Sequence, residues 1–385
     1  MKIHTHLFLV GDDLIPNITP ALDPKFSPCA VYLLFAPIAE NHAKRLEAIL
    51  RQAGINSIYP WNIMDQWDIE HVRQRVLEFV SSDSHNGDIV LNVTCGSKPM
   101  SIAAFDVFQY AEKPVYHVHP ENDYIVWLHR GGKDRETFNL ADEIKLPEYL
   151  AAHDMRLVSC KTTPIPPNIR SLTDHLVNNV TKYARPLEII NGLAADSIQT
   201  LISPILSHVQ KNNSGLQALI SLFSQRGLLT LTAENRIQFK DEESRFFVNG
   251  GWLEEHVYGV LNSLRKKIST IQDLARGVNI EWDTNCSPVA NEIDVAMLSN
   301  NQLYVIECKT INLNIIRKEG SNILYKLNTV RDFMGGKNAK AMLISFRRLT
   351  TKTRLRAEEF GINICEGENL RYLHTFLYDC IKKTC

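Results

Sequence analysis

The chain has 385 residues, 44% of them hydrophobic, and its 42 Lys and Arg nearly balance its 43 Asp and Glu. A length of this order corresponds to two or three domains, and the composition excludes both a membrane protein and a disordered chain. The net charge of −1 also argues against a protein that is basic throughout, as many nucleic-acid-binding proteins are.

The charge is nevertheless unevenly distributed. Residues 1–150 carry 13 basic and 20 acidic side chains, a net charge of −7, whereas residues 151–385 carry 29 and 23, a net charge of +6. Residues 308–356 alone contain 12 basic and 2 acidic residues, a net charge of +10. A basic segment of that density can attract phosphates, so the C-terminal part of the chain is a candidate nucleic-acid-binding region.

Neither a signal-peptide pattern nor a run of about 18 apolar residues occurs, so we expect no membrane partner and predict a cytoplasmic location. The eight cysteines are scattered without a C-x-x-C pair. This spacing supports neither a disulfide framework nor a structural zinc site. Most of the cysteines are interpreted as small buried hydrophobic residues.

The first 150 residues alternate short apolar runs with amphipathic segments, the pattern of a parallel sheet covered by helices. Strands are predicted at 6–10, 30–35, 57–58, 89–93, 115–119 and 124–128, and helices at 39–52, 69–80 and 100–111. Ligands of such sheets bind at the carboxyl ends of the strands. The loops 11–20 and 94–99 are therefore the candidate binding loops.

The second of these loops leads into a helix through small and hydroxyl residues and one lysine, namely Thr94, Cys95, Gly96, Ser97 and Lys98. Free N–H groups at a helix N-terminus, together with hydroxyl groups and a lysine, form a corner that can bind an anion. An ordinary capped turn explains the same residues, because Ser and Thr are common N-caps. The spacing of a Walker A loop is absent.

A stiff segment with three prolines, at positions 164, 166 and 167, indicates a domain boundary. After it, helices are predicted at 197–210 and 215–225 and short strands at 228–232 and 236–240, an order that resembles a winged helix. A helical spacer that ends in a hairpin fits equally well. The predicted domains are 1–150, 165–245 and 246–385, and the third contains helices at 253–267, 321–333 and 351–360 and strands at 292–297, 302–308 and 341–346.

Two predicted strands of the third domain carry charged residues at neighbouring positions. Asp294 lies on the first strand, Glu307 and Lys309 end the second, and residues 299–301 form the turn between them. Side chains alternate along a strand, so Glu307 and Lys309 share a face, and the hairpin can bring Asp294 beside Glu307. Two close carboxylates favour a hard cation such as Mg²⁺ or Mn²⁺, and a nearby lysine can act on a water or a phosphate.

An E-x-K pattern alone is also common on solvated strand faces, where opposite charges simply pair. The combination with a preceding aspartate strand, a carboxylate-bearing helix and the basic segment favours a catalytic site. Glu254 in the first turn of helix 253–267 is the expected third carboxylate, and its neighbour Glu255 is the alternative.

The order of these residues resembles the PD-(D/E)XK nucleases, which share the restriction-endonuclease-like fold: a helix with Glu254, a strand with Asp294, the next strand with Glu307 and Lys309, and a helix with Tyr325 and Lys326. The resemblance implies that Asp294, Glu307 and the Cys308 carbonyl bind a divalent metal. It also implies that Lys309 assists the attacking water and that Glu254 supports the site. Ile293 stands where the family name has a proline.

Substrate phosphates are expected to contact three basic residues beyond the E-x-K strand, namely Lys326, Arg347 and Arg348. A solvated position explains Lys326 nearly as well. Trp252, beside Glu254, could stack on a base, but an aromatic residue that opens an amphipathic helix is usually part of the core. The paired histidines at 4 and 6 and at 117 and 119 are interpreted as packed strand residues, because no third metal ligand is evident.

Residues 92–100 resemble the N-x-T-G-G-T-K-x-M signature of CARF domains, the Rossmann-like sensors of CRISPR systems, with Cys95 and Ser97 as departures. The segments 9–18 and 35–37 are similar to the loops after the family's first and second strands. The order of a CARF domain, a winged-helix-like linker and a PD-(D/E)XK domain covers nearly the whole chain. It resembles the CRISPR-associated nucleases that are activated by cyclic tetra-adenylate.

This resemblance implies a homodimer whose two CARF domains bind one cyclic oligoadenylate. The contacts it implies are Gly11, Asp12, Leu14, Pro16, Asn17, Phe35, Asn92, Thr94, Cys95, Gly96, Ser97, Lys98 and Met100. The sequence thus predicts an α/β multidomain protein and a metal-dependent nuclease of single-stranded RNA or DNA, switched by the cyclic oligoadenylate in type III CRISPR defence. The alternative is a ligand-responsive nucleic-acid-binding regulator without cleavage activity. Degradation of the ligand by the CARF domain itself is not favoured, because no catalytic base is evident there.

Overall fold

The computed structural model describes residues 4–82, 88–120, 122–282, 289–311, 319–335 and 338–382. The N-terminal part contains β1 (Thr5–Leu9), α1 (Ile15–Leu22), β2 (Ala30–Phe35), α2 (Glu40–Gln52), β3 (Ser57–Asn62), α3 (Ile69–Val80), β4 (Ile89–Asn92), α4 (Lys98–Tyr110), β5 (Val115–Val118) and β6 (Ile125–His129). Helix α5 (Leu146–Ala152) and strand β7 (Met155–Lys161) follow.

The rest of the chain is richer in helices. It contains α6 (Pro167–Asn178), α7 (Val180–Ala195), α8 (His208–Lys211), α9 (Ser214–Ser224), β8 (Leu229–Leu231), β9 (Ile237–Phe239), α10 (Glu242–Phe246), a π-helical turn (Phe247–Gly251), α11 (Trp252–Leu264), β10 (Ile271–Trp282), β11 (Val289–Ser299), β12 (Gln302–Lys309), α12 (Glu319–Phe333), β13 (Lys340–Ser345), α13 (Thr351–Glu359), β14 (Ile362–Glu366) and α14 (Leu373–Lys382). Single 3₁₀ turns lie at Pro37–Ala39 and Gly367–Tyr372.

The first sheet has the strand order β3-β2-β1-β4-β5-β6, with β1 to β5 parallel and β6 antiparallel to β5. Leu7 and Leu9 of β1 pack in the same cluster as residues of α3 and α4, whereas Phe8 packs with residues of α1 and α2. Because the order reverses between β1 and β4, the loops that follow these two strands meet at the switch point where such folds bind ligands.

The second sheet has the order β14-β13-β12-β11-β10-β7. Strands β12, β13 and β14 are parallel, and β11, β10 and β7 continue the sheet in antiparallel fashion. Helices α11 and α14 cover one face, and α12 packs on the other. One hydrophobic cluster includes residues of both sheets, among them Phe8 and Leu303. The two sheets are therefore joined by a continuous core.

The segment between the sheets differs in part from the sequence prediction. The predicted helix 197–210 is wrong, because Leu201 adopts a positive φ of 57° and only His208–Lys211 is helical. Helices α6 and α7 were not predicted, although Pro167 lies at the first position of α6, where proline is well tolerated. The predicted helix 215–225 and the hairpin after it are present as α9, β8 and β9.

No helix in the described ranges is long and apolar enough to cross a membrane. Six cysteines lie in those ranges and all are free thiols, with Cys95, Cys308 and Cys365 buried. Burial raises the pKa of Cys95 and Cys308 well above the ordinary thiol value. These three cysteines therefore act as small core residues. Cys29 is exposed and Cys160 and Cys380 are partly exposed, so the prediction that most cysteines are buried does not hold for the six described.

Candidate functional site

Three charged side chains converge where strands β11 and β12 separate. The last paired residues of the ladder are Val295 and Ile306, so Asp294 and Glu307 occupy the next facing positions. Lys309 Nζ lies 2.6 Å from Glu307 Oε1 and 3.3 Å from Asp294 Oδ2. The backbone N–H of Cys308 donates to Asp294 Oδ2 over 2.7 Å. The structure thus places the three predicted residues in one cluster.

This cluster is buried and strongly coupled. Asp294 and Glu307 are both less than a tenth exposed. Burial, and then repulsion from Glu307, raises the pKa of Asp294 to about 6, while Lys309 opposes the rise. Burial alone would lower the pKa of Lys309, but Asp294 and Glu307 raise it above its ordinary value. The lysine is therefore held as an ammonium group between two carboxylates.

Glu254, rather than Glu255, faces this cluster. Burial raises the pKa of Glu254 to about 9, with further contributions from nearby carboxylates, first among them Asp294. Glu255 instead accepts a hydrogen bond of 2.9 Å from Arg276 Nε. The same guanidinium donates to the Thr163 carbonyl over 2.8 Å. The side chain of Glu255 is thus engaged in an ion pair, and Glu254 is the carboxylate left next to Asp294.

The donor set suits a hard divalent cation. No three His, Cys, Asp or Glu side chains in the described part of the chain group closely enough to hold a metal by themselves. Asp294 and Glu307 would supply two carboxylates, and the backbone carbonyl of Cys308, the residue between Glu307 and Lys309, would supply a third oxygen. Mg²⁺ is usually bound by one or two carboxylates and keeps several waters. Two buried carboxylates that share a single ammonium group therefore fit such an ion.

Helix α7 fixes the end of strand β12. Thr310, which follows Lys309, lies 3.0 Å from the side-chain amide of Asn191. When the Asn191 oxygen accepts from this hydroxyl, its nitrogen donates to the carbonyls of Leu187 and Val248, each at 3.1 Å. All polar atoms of the buried amide are then satisfied. The α7 helix therefore positions the strand that carries Glu307 and Lys309.

Gly250, in the π-helical turn before α11, packs directly on Thr310. Its φ is +120°, and a Cβ at this position would overlap Thr310 Oγ1. We expect Gly250→Ala to destabilise the protein by about 2–4 kcal/mol, because it adds backbone strain and a clash. Chemical denaturation measures this change. Gly192→Ala is the matched control, since nothing lies within 4 Å of a Cβ there. Equal stability of the two variants would contradict the prediction.

The predicted phosphate contacts have different surroundings. Lys326 is exposed on α12. Arg347 is only a fifth exposed and lies 3.1 Å from Glu188 of α7, so its charge is already paired. Arg348 is exposed and lies 3.8 Å from Glu368. Lys326 and Arg348 are thus open to solvent, whereas Arg347 ties helix α7 to the second sheet.

The net charge of +10 in segment 308–356 is larger than the positive charge that this segment leaves unpaired in the folded protein. Arg354 pairs with Glu366 at 2.6 Å, an acid outside the segment. Arg347 likewise pairs with Glu188 at 3.1 Å, a second acid outside the segment. The basic residues at 317, 318 and 337 lie outside the described residues. Acids from other parts of the chain therefore neutralise part of the segment, which the linear count could not show.

A second site lies at the switch point of the first sheet, in a pocket of about 330 Å³. Residues of both sheets line it, and these are Gly11, Asp12, Asp13, Ile15, Pro16, Thr94, Cys95, Gly96, His117, Val118, His119, Pro120, Asp123, Tyr149, His153, Asn300, Asn301, Gln302, Gly335 and Asn338. The loops after β1 and β4 therefore face the turn between β11 and β12.

Six of the predicted ligand contacts line this pocket, namely Gly11, Asp12, Pro16, Thr94, Cys95 and Gly96. Ser97 instead caps helix α4 by accepting from the Met100 N–H over 3.3 Å, and Lys98 is exposed beside it. Phe35 lines a separate groove along α2. The structure therefore divides the predicted set between the pocket and the adjoining surface at the start of α4.

Four other predicted contacts are buried and do not reach the pocket, namely Leu14, Asn17, Asn92 and Met100. The Asn92 amide donates to Asn17 Oδ1 over 2.9 Å and to the Pro16 carbonyl over 2.8 Å. Thr94 Oγ1 donates to Asn92 Oδ1 over 2.6 Å. In this structure the two asparagines tie the first loop to the second and so hold the pocket's shape. The segment predicted as loop 11–20 in fact becomes helical from Ile15.

The turn between β11 and β12 was not predicted to take part in a site. Asn300 and Asn301 adopt positive φ values of 51° and 55°. Asn301 Oδ1 accepts from Gln272 Nε2 over 2.7 Å, and its amide donates to the buried carboxylate of Asp123 in the first sheet's domain. The sequence predicts a turn at residues 299–301, but no sequence pattern indicates that this turn contacts Asp123. The hairpin that carries Asp294 at one end therefore lines the pocket at its other end.

The structure divides the aromatic and histidine predictions. His4 is exposed and precedes strand β1, so its interpretation as a packed strand residue is wrong. Trp252 is fully buried and packs edge-on against Phe346 at 5.4 Å between ring centroids, so it belongs to the core. His6 is fully buried, and burial lowers its pKa to about 3. His117 and His119 line the pocket, where burial lowers the pKa of His117 below its ordinary value.

Two family models match the chain. The Card1 CARF domain matches residues 5–149, and the Card1-like endonuclease domain matches residues 241–384. The class is thus defined as a CARF sensor domain joined to an endonuclease domain. Within that class, the chain belongs to the Card1-like family of CRISPR-associated CARF nucleases. The predicted family and fold class are confirmed.

Solved structures agree with this assignment. Protein VC1899 from Vibrio cholerae is 27% identical over 99% of both chains, with a TM-score of 0.89. Can2 from Sulfobacillus thermosulfidooxidans, solved in complex with cyclic tetra-adenylate, is 26% identical over 99% of both chains, with a TM-score of 0.81. A type III CRISPR defence DNA nuclease activated by cyclic oligoadenylate is 16% identical, covers 90% of this chain and 46% of its own, and shares the fold with a TM-score of 0.57. Among curated proteins, no match was found.

Proposed function

We propose that this protein is a metal-dependent nuclease of single-stranded RNA or DNA that a cyclic oligoadenylate activates. One observation carries the proposal: the β11–β12 hairpin holds the Asp294–Glu307–Lys309 cluster at one end, and its turn lines the pocket of the CARF domain at the other. A ligand that fits one state of the pocket better can therefore shift the arrangement of the hairpin.

In the proposed site, which we assign to the PD-(D/E)XK type, Asp294, Glu307 and the Cys308 carbonyl would hold Mg²⁺ or Mn²⁺. The ion would supply charge stabilisation and a more acidic water. Lys309 lies close enough to both carboxylates to orient that water and to stabilise negative charge on the phosphodiester. Glu254 would accept or donate a hydrogen bond beside Asp294 and so support the orientation of that carboxylate.

The proposed activator is cyclic tetra-adenylate, because Can2, similar over its whole length, was solved with that ligand. The pocket residues Gly11 and Gly96 would allow close approach of the ligand to the backbone, and Thr94 would offer a hydroxyl. Lys98, exposed at the first turn of α4, would meet a phosphate at the pocket's rim. These contacts supply the differential binding that activation requires.

We also propose a homodimer formed through the first sheet's domain. Four large apolar side chains near the carboxyl ends of the parallel strands are more than half exposed: Ile38 (79%), Met64 (83%), Trp67 (66%) and Ile102 (57%). The loop that carries Trp67 contacts the ligand segment, since Ser97 Oγ donates to the Gln66 carbonyl over 3.1 Å. Exposed apolar groups in one region are typical of an interface. A second copy would also complete a two-fold ligand pocket.

The proposal assigns a separate role to each of the three predicted domains. Residues 1–150 form the sensor, 165–245 the linker and 246–385 the nuclease, and strand β7 extends the nuclease sheet upstream. Free cysteines in a CRISPR defence protein accord with a cytoplasmic location.

Activation is tested by adding ligands to the purified protein. We expect cyclic tetra-adenylate at about a hundredfold excess over its Kd to raise the stability by about 2.7 kcal/mol, because it binds the folded state alone. Cyclic tri- and hexa-adenylate should give smaller shifts. With Mn²⁺ present, labelled single-stranded RNA or DNA should be cut only when the stabilising ligand is added. Intact RNA and DNA under these conditions would contradict the proposed function.

A further inference from the structure

A small pocket of about 170 Å³ adjoins the carboxylate cluster on the side of helix α11. Its walls come from β7, α10, the π-helical turn, α11, β10 and β11. Glu254 belongs both to this pocket and to the surroundings of Asp294. The volume equals that of about five or six water molecules, which is the scale of a single planar ring system. None of the roles assigned so far uses this space.

Phe246 presents its ring to this pocket. The side chain is 43% exposed, whereas its neighbour Phe247 is buried in the core. The ring lies against Gly251, where a Cβ would overlap it. The intervening residues form the π-helical turn, an irregularity that is frequent at functional sites. Glycine at position 251 thus lets an exposed aromatic ring pack closely against the backbone one helical turn before Glu254.

The charges around the pocket favour a base over a phosphate. Two of its carboxylates are paired, Glu243 with Lys161 at 2.5 Å and Glu255 with Arg276 at 2.9 Å. The exposed Glu292 adds a further acceptor. Because the remaining charge is negative, a phosphate would be repelled here. A neutral ring with amino or imino donors would find acceptors at the rim and an aromatic face to stack on.

We propose that this pocket is a subsite for one unstacked nucleobase of the single-stranded substrate, with Phe246 as its stacking platform. The inference rests on the nuclease function proposed above and adds the position of a base beside the scissile phosphate. Such a subsite favours single strands, because a base in a duplex is not available for stacking on protein. The walls are already ordered by the Arg276 contacts, so little entropy is lost when a base enters.

The test combines a change in the protein with a change in the oligonucleotide. The full-length protein, with cyclic tetra-adenylate and Ca²⁺, is titrated against fluorescein-labelled single-stranded oligonucleotides, either intact or with abasic sites in place of successive bases. Base stacking on an aromatic ring is worth about tenfold in affinity. We expect Phe246→Ala to weaken binding of the intact strand by roughly tenfold and Phe246→Trp to restore it.

The abasic series distinguishes stacking from a general effect on folding. For wild-type protein, one abasic position should weaken binding by the same factor, and that position should have no effect on Phe246→Ala. Tyr110→Ala, which removes an 89% exposed aromatic residue of the first domain, is the control and should bind like wild type. Equal sensitivity of wild type and Phe246→Ala to every abasic position would overturn the subsite. Cleavage with Mn²⁺ is scored separately, so loss of activity alone bears on the nuclease proposal and not on this one.

Discussion

Asp294→Asn will reduce Mn²⁺-dependent cleavage by about 10²–10³-fold or more while the protein stays folded. Asp294 is the carboxylate that contacts both Lys309 and the Cys308 N–H. Its loss removes negative charge from the proposed metal site and frees the lysine from one partner. Cleavage rates under saturating activator, measured with single-stranded RNA and DNA, check the result.

Although Asp294→Asn lowers the cleavage rate, we do not expect it to lower the stability of the protein. Burial and repulsion from Glu307 raise the pKa of Asp294 to about 6, so the ionised form is unfavourable in the metal-free protein at neutral pH. A neutral Asn of the same shape should leave the thermal midpoint unchanged or raise it. Glu281→Gln, on strand β10 and ion-paired with Arg156, is the matched control and should cut normally. An Asp294→Asn protein that cuts at the wild-type rate would remove Asp294 from the mechanism.

Much of the first sheet could be predicted from the sequence because its signals are local. The predicted helix 69–80 is Ile69–Val80 in the structure, with Asp68 accepting from the His71 N–H as its cap. Strand β7 was missed because its stabilising partner is β10, more than 100 residues later, and most of its side chains are exposed or half-exposed at the sheet edge. The sequence predicts a loop where helix α1 lies, because two prolines, Pro16 and Pro20, fall within it.

The two sites differ in the same way: contacts between nearby positions in the chain could be predicted, and contacts between distant positions could not. The Asp294–Glu307 pair could be predicted because a short turn fixes the register of a hairpin. The contact of Asn301 with Asp123 joins positions 178 apart in the chain, and no local pattern reports it. Asn92 and Asn17 are predicted ligand contacts. In this structure the amide of Asn92, at the end of β4, donates to Asn17 in α1, as buried polar groups generally hydrogen-bond within a protein.

The second large effect is expected at Asp123, which joins the two sheets. Burial raises its pKa to about 8, opposed by hydrogen bonds from Asn301 and Thr19, with further contributions from Asp142 and Asp23. The unfolded chain releases this proton near pH 4, but the folded chain holds it until about pH 8. Between these values the unfolded state binds fewer protons, so the free energy of unfolding falls as the pH rises.

Asp123→Asn should remove most of this pH dependence. Asparagine keeps an oxygen that can accept from Asn301, and it tolerates the positive φ of 51° at this position. At pH 8 we expect the variant to be more stable than wild type by on the order of 4–5 kcal/mol, because the pKa of Asp123 lies about four units above its unfolded value, at about 1.4 kcal/mol each, with little difference at pH 4. Urea denaturation across this range measures the difference, with the exposed Asp134→Asn as control. The control should follow the wild-type profile. If Asp123→Asn also followed it, the proton would not reside on Asp123, and Asn301 would contact an ionised Asp123 carboxylate across this pH range.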